Sequence, residues 1–381
     1  RPLTGACAQV FLYRYSTVYP LRPGTLTPET LELDMRLTAC VGALAAALAL
    51  SSSLTSSAAS AAEKVNIYSY RQPQLIDPLL KAFTAKTGIE TNVIFANAGL
   101  EERIQAEGAN SPADVLFTVD IGRLTEAKER GITAGVPVTD VKELAAIPAN
   151  FRDPEGHWFG LTLRGRVIYA SKERVKQDAI TYAELADPKW KGKICTRSGQ
   201  HVYNVSLIAS VLAHKGEAAT EEWLKGVRDN LARKPAGGDR EQVRDVKAGL
   251  CDIALANTYY MAAMLKDPKQ KEWAESVRII FPDAGTTGTH VNVSGVSLIK
   301  SAPNKAAALK LMAFLASEEG QRLYAEANSE YPIDPKVPPT ELVQSWGKLE
   351  PDKTPLANIA AQRKKASELV DKVKFDAGPG T

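Results

Sequence analysis

Cysteine and histidine are both scarce, four of each in 381 residues, and neither recurs at a metal-ligand spacing. His157, His201, His214 and His290 form no H-x-x-x-H pair, which leaves no zinc-type site of that kind. No G-x-x-x-x-G-K-[ST] phosphate loop occurs, so ATP hydrolysis of that kind is not expected of this chain. "SGQ" at Ser198 to Gln200 lacks a G-x-S-x-G frame and a His/Asp pattern, and an enzyme is not expected. Charge of one sign is lacking too: 47 Lys and Arg stand against 44 Asp and Glu, with no basic run, which excludes a nucleic-acid arm. The apolar run "VGALAAALAL", Val41 to Leu50, is too short to anchor a membrane protein.

What is present is an ordinary globular composition, 44% apolar, enough for one large core or two domains. Met35 and Arg36, the apolar run and the small residues of "SSSLTSSAASAA" read as an export signal over 35–62, cleaved near Ala61 or Ala62. Residues 1–34 read as an upstream extension outside the fold. "LTAC", Leu37 to Cys40, precedes the apolar run instead of following it and is not a lipoprotein box. Cys7 and Cys40 fall in the discarded part. Cys195 and Cys251 remain as the only pair of the exported chain, and in an oxidising compartment a disulfide between them is expected, with two buried free thiols the alternative.

Strand-like and helix-like stretches alternate from "KVNIYSY" through "PQLIDPLLKAFTAKTG", "ETNVIFAN", "GLEERIQAEGAN" and "PADVLFTVD". That order predicts a parallel sheet with its ligand face at the strand C-termini, where the loop "RQPQ" lies. A second α/β unit follows, with "VIYASK", "GKICTR" and "DIALAN" as strands. "GTHVNVSGVSLIK" reads as a strand pair and "LANIAAQRKKASELVDKVKF" as one C-terminal helix. Two α/β domains flanking a cleft fit this order, and clefts of that kind favour ligands.

Two tyrosines stand together at Tyr259 and Tyr260, where "DIALAN" gives way to "YYMAAML". A phenol at such a place ordinarily packs or hydrogen-bonds. Tyr203, in "SGQHVYNVSL", enters another helix at the same end of a neighbouring strand, so three phenols can converge. A phenolate is a hard anionic oxygen, and Fe(III) is the kind of cation able to displace its proton. Three tyrosinates balance three positive charges, and helix N-termini favour the anionic form. Thr258 or Asn257 is the expected N-cap of the second helix.

These stretches, with "VNIYSYRQPQLIDPLLKAFTAKTG", "LRGRVIYASK", "DPKWKGKICTRSGQHVYNVSL" and "DIALANTYYMAAML" in order, resemble the periplasmic ferric-ion-binding proteins of bacterial ABC importers. "NTYY" and "HVYN" carry the most specific part of the likeness. The resemblance implies a two-lobed, transferrin-like solute-binding fold with a central cleft and hinge strands. Its lobes are expected at 63–162 plus 287–337 and at 163–286 plus 338–381, the second carrying the tyrosines. It implies Tyr203, Tyr259 and Tyr260 as ligands of one Fe(III), and a monomer that passes the ion to an ABC permease and its ATPase.

Some relatives add His and Tyr ligands in the pattern "SRHY"; here the loop reads "YRQP", Tyr70 to Pro73, and Gln72 and Pro73 take those places. The resemblance then implies a synergistic carbonate or bicarbonate, for which Arg71 and Gln72 are the first donors and Arg164 and Arg166 further candidates. Tyr68 is read as packing, and Tyr70 as packing or an outside candidate for the site. The competing expectation is a protein of the same fold that binds a polyamine, thiamine or sulfate.

Overall fold

The computed structural model describes residues 63–380, so the expected signal segment, the upstream extension, Cys7 and Cys40 lie outside the described part. Ten strands are present among these residues: β1 (Lys64–Ser69), β2 (Glu90–Phe95), β3 (Val115–Thr118), β4 (Thr133–Ala134), β5 (Phe159–Ser171), β6 (Ile194–Cys195), β7 (Ile253–Asn257), β8 (Val277–Ile280), β9 (Val291–Ile299) and β10 (Tyr331–Pro332). β1 is parallel to β2 on one side and to β3 on the other, as the β-α-β order predicts. The helix Pro73–Thr87 that links β1 to β2 starts on proline, whose fixed φ suits a first helical turn. It buries Ile76, Leu79, Leu80 and Phe83 on one face and ends at Gly88, which adopts φ 72° while its N–H bonds the Thr84 carbonyl.

β5 joins this sheet to a second one. All thirteen of its residues are buried. Its first part pairs antiparallel with β9, ending at Gly165 opposite Val291. From Arg166 opposite Asn257 onward it pairs antiparallel with β7, and its outer end also pairs with β8. The chain therefore changes sheets between Gly165 and Arg166. β6 lies parallel to β7, and β10 adds to β5 at Leu163 and Thr162. The strand expected at "VIYASK" starts as early as Phe159, because Arg164 and Arg166 are charges that the fold buries with partners.

Two further expectations are corrected. "GTHVNVSGVSLIK" forms the single strand β9, not a pair. Gly295 makes no turn there; a Cβ on it would stand 2.7 Å from the Phe159 carbonyl oxygen, so glycine serves close strand packing. The C-terminal stretch is two helices, Leu356–Ala360 and Arg363–Lys372, and the break stands where Arg363 meets Asp120 at 3.1 Å. Asp120 is the N-cap of helix Ile121–Glu129, accepting from the Gly122 N–H at 2.8 Å.

Cys195 and Cys251 form a disulfide with their Cα atoms 5.9 Å apart. It fastens the end of β6 to the residues just before β7. The bridge closes a separation of 56 residues, so replacing both cysteines by serine is expected to cost about 4 kcal/mol of unfolding free energy. Urea unfolding under non-reducing conditions measures it; a loss below about 1 kcal/mol would show that the unfolded chain is little constrained by the bridge.

Candidate metal centre

Tyr203 is set by the start of helix Val202–Lys215. His201 is its N-cap, with Nδ1 accepting from the Tyr203 N–H at 3.2 Å, so the imidazole presents a lone pair to the helix. Burial, reinforced by Arg197, pulls the His201 pKa down to about 4 and keeps the ring neutral. The preceding loop is braced from the C-terminal end of the chain. Asp376 accepts from the Gly199 N–H at 2.6 Å and from Ser198 at 2.5 Å, and Gln200 donates to Asp371 at 2.8 Å.

Tyr259 and Tyr260 follow β7 directly, at the mouth of helix Tyr260–Lys266. Neither Asn257 nor Thr258 caps that helix. Tyr259 itself stands at the cap position in helical geometry, φ −63° and ψ −19°, with no side-chain cap bond. The Asn257 side-chain oxygen is occupied by Arg166 at 3.1 Å, and the buried Thr258 hydroxyl has no partner among the described residues. The Met261 N–H is satisfied by the Thr258 carbonyl at 3.1 Å instead.

The three phenols converge. The hydroxyls of Tyr203 and Tyr259 lie 3.4 Å apart, and the rings of Tyr259 and Tyr260 pack with centroids 4.2 Å apart. All three are half-buried and line one cavity of about 500 Å³. Burial pushes the Tyr259 hydroxyl well above the ordinary phenol range, and the neighbouring phenols of Tyr203 and Tyr260 push it further, against the pull of Arg164. Tyr260 is raised as well, chiefly by burial. Without a cation these two phenols are neutral at pH 7. Among the described residues no group of three or more His, Cys, Asp or Glu could hold a metal ion, so the hard-oxygen cluster is made of tyrosines.

Arg71 and Gln72 line the same cavity from the loop after β1. Arg71 is buried. Its Nη2 donates to Glu330 at 2.6 Å, to Tyr324 at 3.2 Å and to Ser294, whereas Nη1 bonds to nothing among the described residues. Gln72 is exposed at the rim. Arg164 and Arg166 do not line the cavity. Arg164 sits beside it, 5.6 Å from the Tyr203 ring centroid, with Nη1 donating to Ser294 at 2.9 Å and Nη2 to the Val293 carbonyl at 2.9 Å. Both terminal nitrogens of Arg166 are engaged, donating to Asp239 at 2.5 Å, Asn204 at 2.7 Å and Asn257 at 3.1 Å.

Tyr70 reaches the wall but its hydroxyl accepts from the Leu100 N–H at 2.8 Å and donates to Glu101, while Arg123 stacks 3.5 Å from its ring centroid. Tyr68 points elsewhere and bonds Glu107 at 2.8 Å; burial, then that carboxylate, raises its pKa to about 12. Sequence reasoning overlooked Ser294, Tyr324 and Glu330, which are far apart in the chain and carry no motif. It also passed over the exposed Arg240 and Lys266 at the cavity rim.

The family model described as a bacterial extracellular solute-binding protein matches residues 110–350. The chain belongs to that family. It is 45% identical over 313 residues to iron uptake protein A1 of Synechocystis sp., covering 81% of this chain and 86% of the relative. It is 29% identical over 318 residues to the major ferric iron-binding protein of Neisseria meningitidis, covering 82% and 93%. Among solved structures, ferric iron-binding protein A of Mannheimia haemolytica in an open conformation superposes with a TM-score of 0.79 at 49% identity, covering 83% of this chain and 99% of that one. The fold is the two-lobed solute-binding architecture of those proteins, with β5 running between the sheets. No helix among the described residues is long and apolar enough to cross a membrane.

Proposed function

We propose that this solute-binding protein captures Fe(III) in its cleft through the phenolates of Tyr203, Tyr259 and Tyr260, in the periplasm, and delivers it as a monomer to an ABC permease and its ATPase. The observation that carries the reading is the meeting of three phenols in one cavity, two of their oxygens 3.4 Å apart, close enough for one cation to bridge. The names of the relatives, iron uptake protein and ferric iron-binding protein, agree with it. The lobes are taken as 63–162 plus 287–337 and 163–286 plus 338–381; the change of sheets at Gly165 and Arg166 falls close to the first boundary. Iron would favour the closed form by binding it better than the open one.

Three phenolates leave an octahedral ion incomplete, and a carbonate or bicarbonate fits the remaining places. Arg71, whose Nη1 has no partner among the described residues, and the exposed Gln72 line the cavity and offer donors suited to a small planar anion. Arg164, beside the Tyr203 ring, supplies positive charge without touching the cavity, and Arg166 ties the ligand-bearing segments together.

Adding Fe(III) with bicarbonate to the purified protein is expected to produce a visible phenolate-to-iron charge-transfer band. A colourless mixture that binds a polyamine, thiamine or sulfate instead would overturn the iron reading. The raised pKa values of Tyr259 and Tyr260 fix the sign of the pH effect. Both phenols are protonated in the free site and lose protons when iron binds, so loading acidifies a weakly buffered solution and apparent affinity falls as pH falls. Potentiometry during loading measures the protons released; release of none would exclude tyrosinate ligation.

A further inference from the structure

Behind the loop that follows β1, two buried arginines share one buried carboxylate. Glu330 Oε1 accepts from Arg71 Nη2 at 2.6 Å and lies 3.8 Å from Arg164 Nη1. Its Oε2 accepts from Ser294 at 3.1 Å and from Thr162. Ser294 completes the knot, accepting from both arginines while donating to the carboxylate. Burial opposes ionisation of Glu330, yet the two guanidinium groups together hold its carboxyl below the usual range. The cluster therefore carries one net positive charge where the arginines alone would carry two. The Nε–H groups of Arg71 and Arg164 are buried without partners among the described residues, so neither guanidinium is saturated.

Arg71 is held by one edge only. Glu330, Ser294 and Tyr324 all take Nη2, which leaves Nη1 without a partner among the described residues, on a side chain that lines the same cavity as the tyrosines. A glutamine at position 330 would fill the same space and still accept from Arg71. What the carboxylate adds over that amide is negative charge, placed where it weakens the attraction of the arginines for an anion.

We propose that Glu330 is a positioning residue for Arg71 whose charge limits how tightly the cleft holds its anion, and through the anion its iron, by cancelling half of the buried arginine charge. The proposal rests on the reading of the cavity as an Fe(III) and anion site. Its consequence is unusual in sign: removing a buried charge partner strengthens ligand binding.

The test compares the full chain with its Glu330→Gln variant, each loaded with one equivalent of Fe(III) and titrated with bicarbonate while the charge-transfer band is followed. The variant is expected to half-saturate at about tenfold lower bicarbonate, the scale of one partly screened charge at this range. Iron release to excess citrate should slow correspondingly. A midpoint equal to or above that of the unmodified protein overturns the proposal, since a merely structural defect can only weaken the site. Thr162→Val removes one hydrogen bond to Glu330 and no charge, and its midpoint is expected to stay in place; a shift as large as that of the glutamine variant also overturns it. If Glu330→Gln does not fold, Arg164→Gln and the charge-keeping Arg164→Lys decide together: the glutamine variant should raise the midpoint about tenfold and the lysine variant much less, and no change in the first, or an equal rise in both, refutes the charge argument. Loss of the band in Tyr259→Phe keeps the underlying iron reading intact whichever way Glu330 behaves.

Discussion

Tyr259→Phe is expected to eliminate most of the charge-transfer band and to weaken Fe(III) binding by more than about 100-fold, beyond what substitutions outside a ligand shell cost. Of the three phenols Tyr259 is the central one: its hydroxyl is 3.4 Å from that of Tyr203 and its ring lies 4.2 Å from that of Tyr260. Phenylalanine keeps the ring and its packing, so the substitution removes one oxygen and little else. Stability should stay within about 1 kcal/mol, because the lost hydroxyl makes a single long hydrogen bond. Tyr70→Phe is the matched control, since the Tyr70 phenol is already committed to Glu101 and Leu100. Absorbance and equilibrium dialysis against a chelator of known strength measure both variants. A Tyr259→Phe protein with the full band would remove Tyr259 from the ligand set.

The local signals in the sequence were strong where one residue type does one job. Gly88 ends its helix because it must adopt a positive φ, and the alternation from β1 to β3 could be read from apolar spacing alone. Cys195 and Cys251 were the only candidates for a bridge. The errors came where tertiary contacts override local rules. "GTHVNVSGVSLIK" reads as a strand pair and is one strand, in which Gly295 allows close approach to the Phe159 carbonyl of β5. Asn257 looked like a cap and is held by Arg166. The strand expected at "VIYASK" begins earlier, at Phe159, and takes in two arginines that the fold buries: Glu330 lies beside Arg164 and Asp239 pairs with Arg166, across 73 residues of sequence in the second case. The tyrosines were legible because phenols cluster rarely at helix entries. The buried arginines beside them were legible as residues but not as neighbours, and no spacing in the chain announces Glu330.

Asp239→Asn is expected to be among the most destabilising single changes in the described part, costing about 3–5 kcal/mol, the range for breaking a buried pair by removing one partner. Asp239 is buried and accepts from Arg166 at 2.5 Å, from the Asn257 N–H at 3.0 Å and from Arg197 at 3.3 Å. An amide there leaves the Arg166 guanidinium buried and uncompensated, which the midpoint of urea unfolding should register. The same guanidinium grips Asn204, next to Tyr203, and Asn257, two residues before Tyr259. Stability and site geometry therefore share one charge, and a double variant separates them. Replacing the whole buried pair by apolar residues, Asp239→Leu with Arg166→Met, should recover much of the lost stability, because such replacements are often neutral. Iron binding should not recover with it, since nothing then bridges Asn204 and Asn257. A double variant that regains both would show that the tyrosines are held by their own helices and that the Arg166–Asp239 pair serves the fold alone.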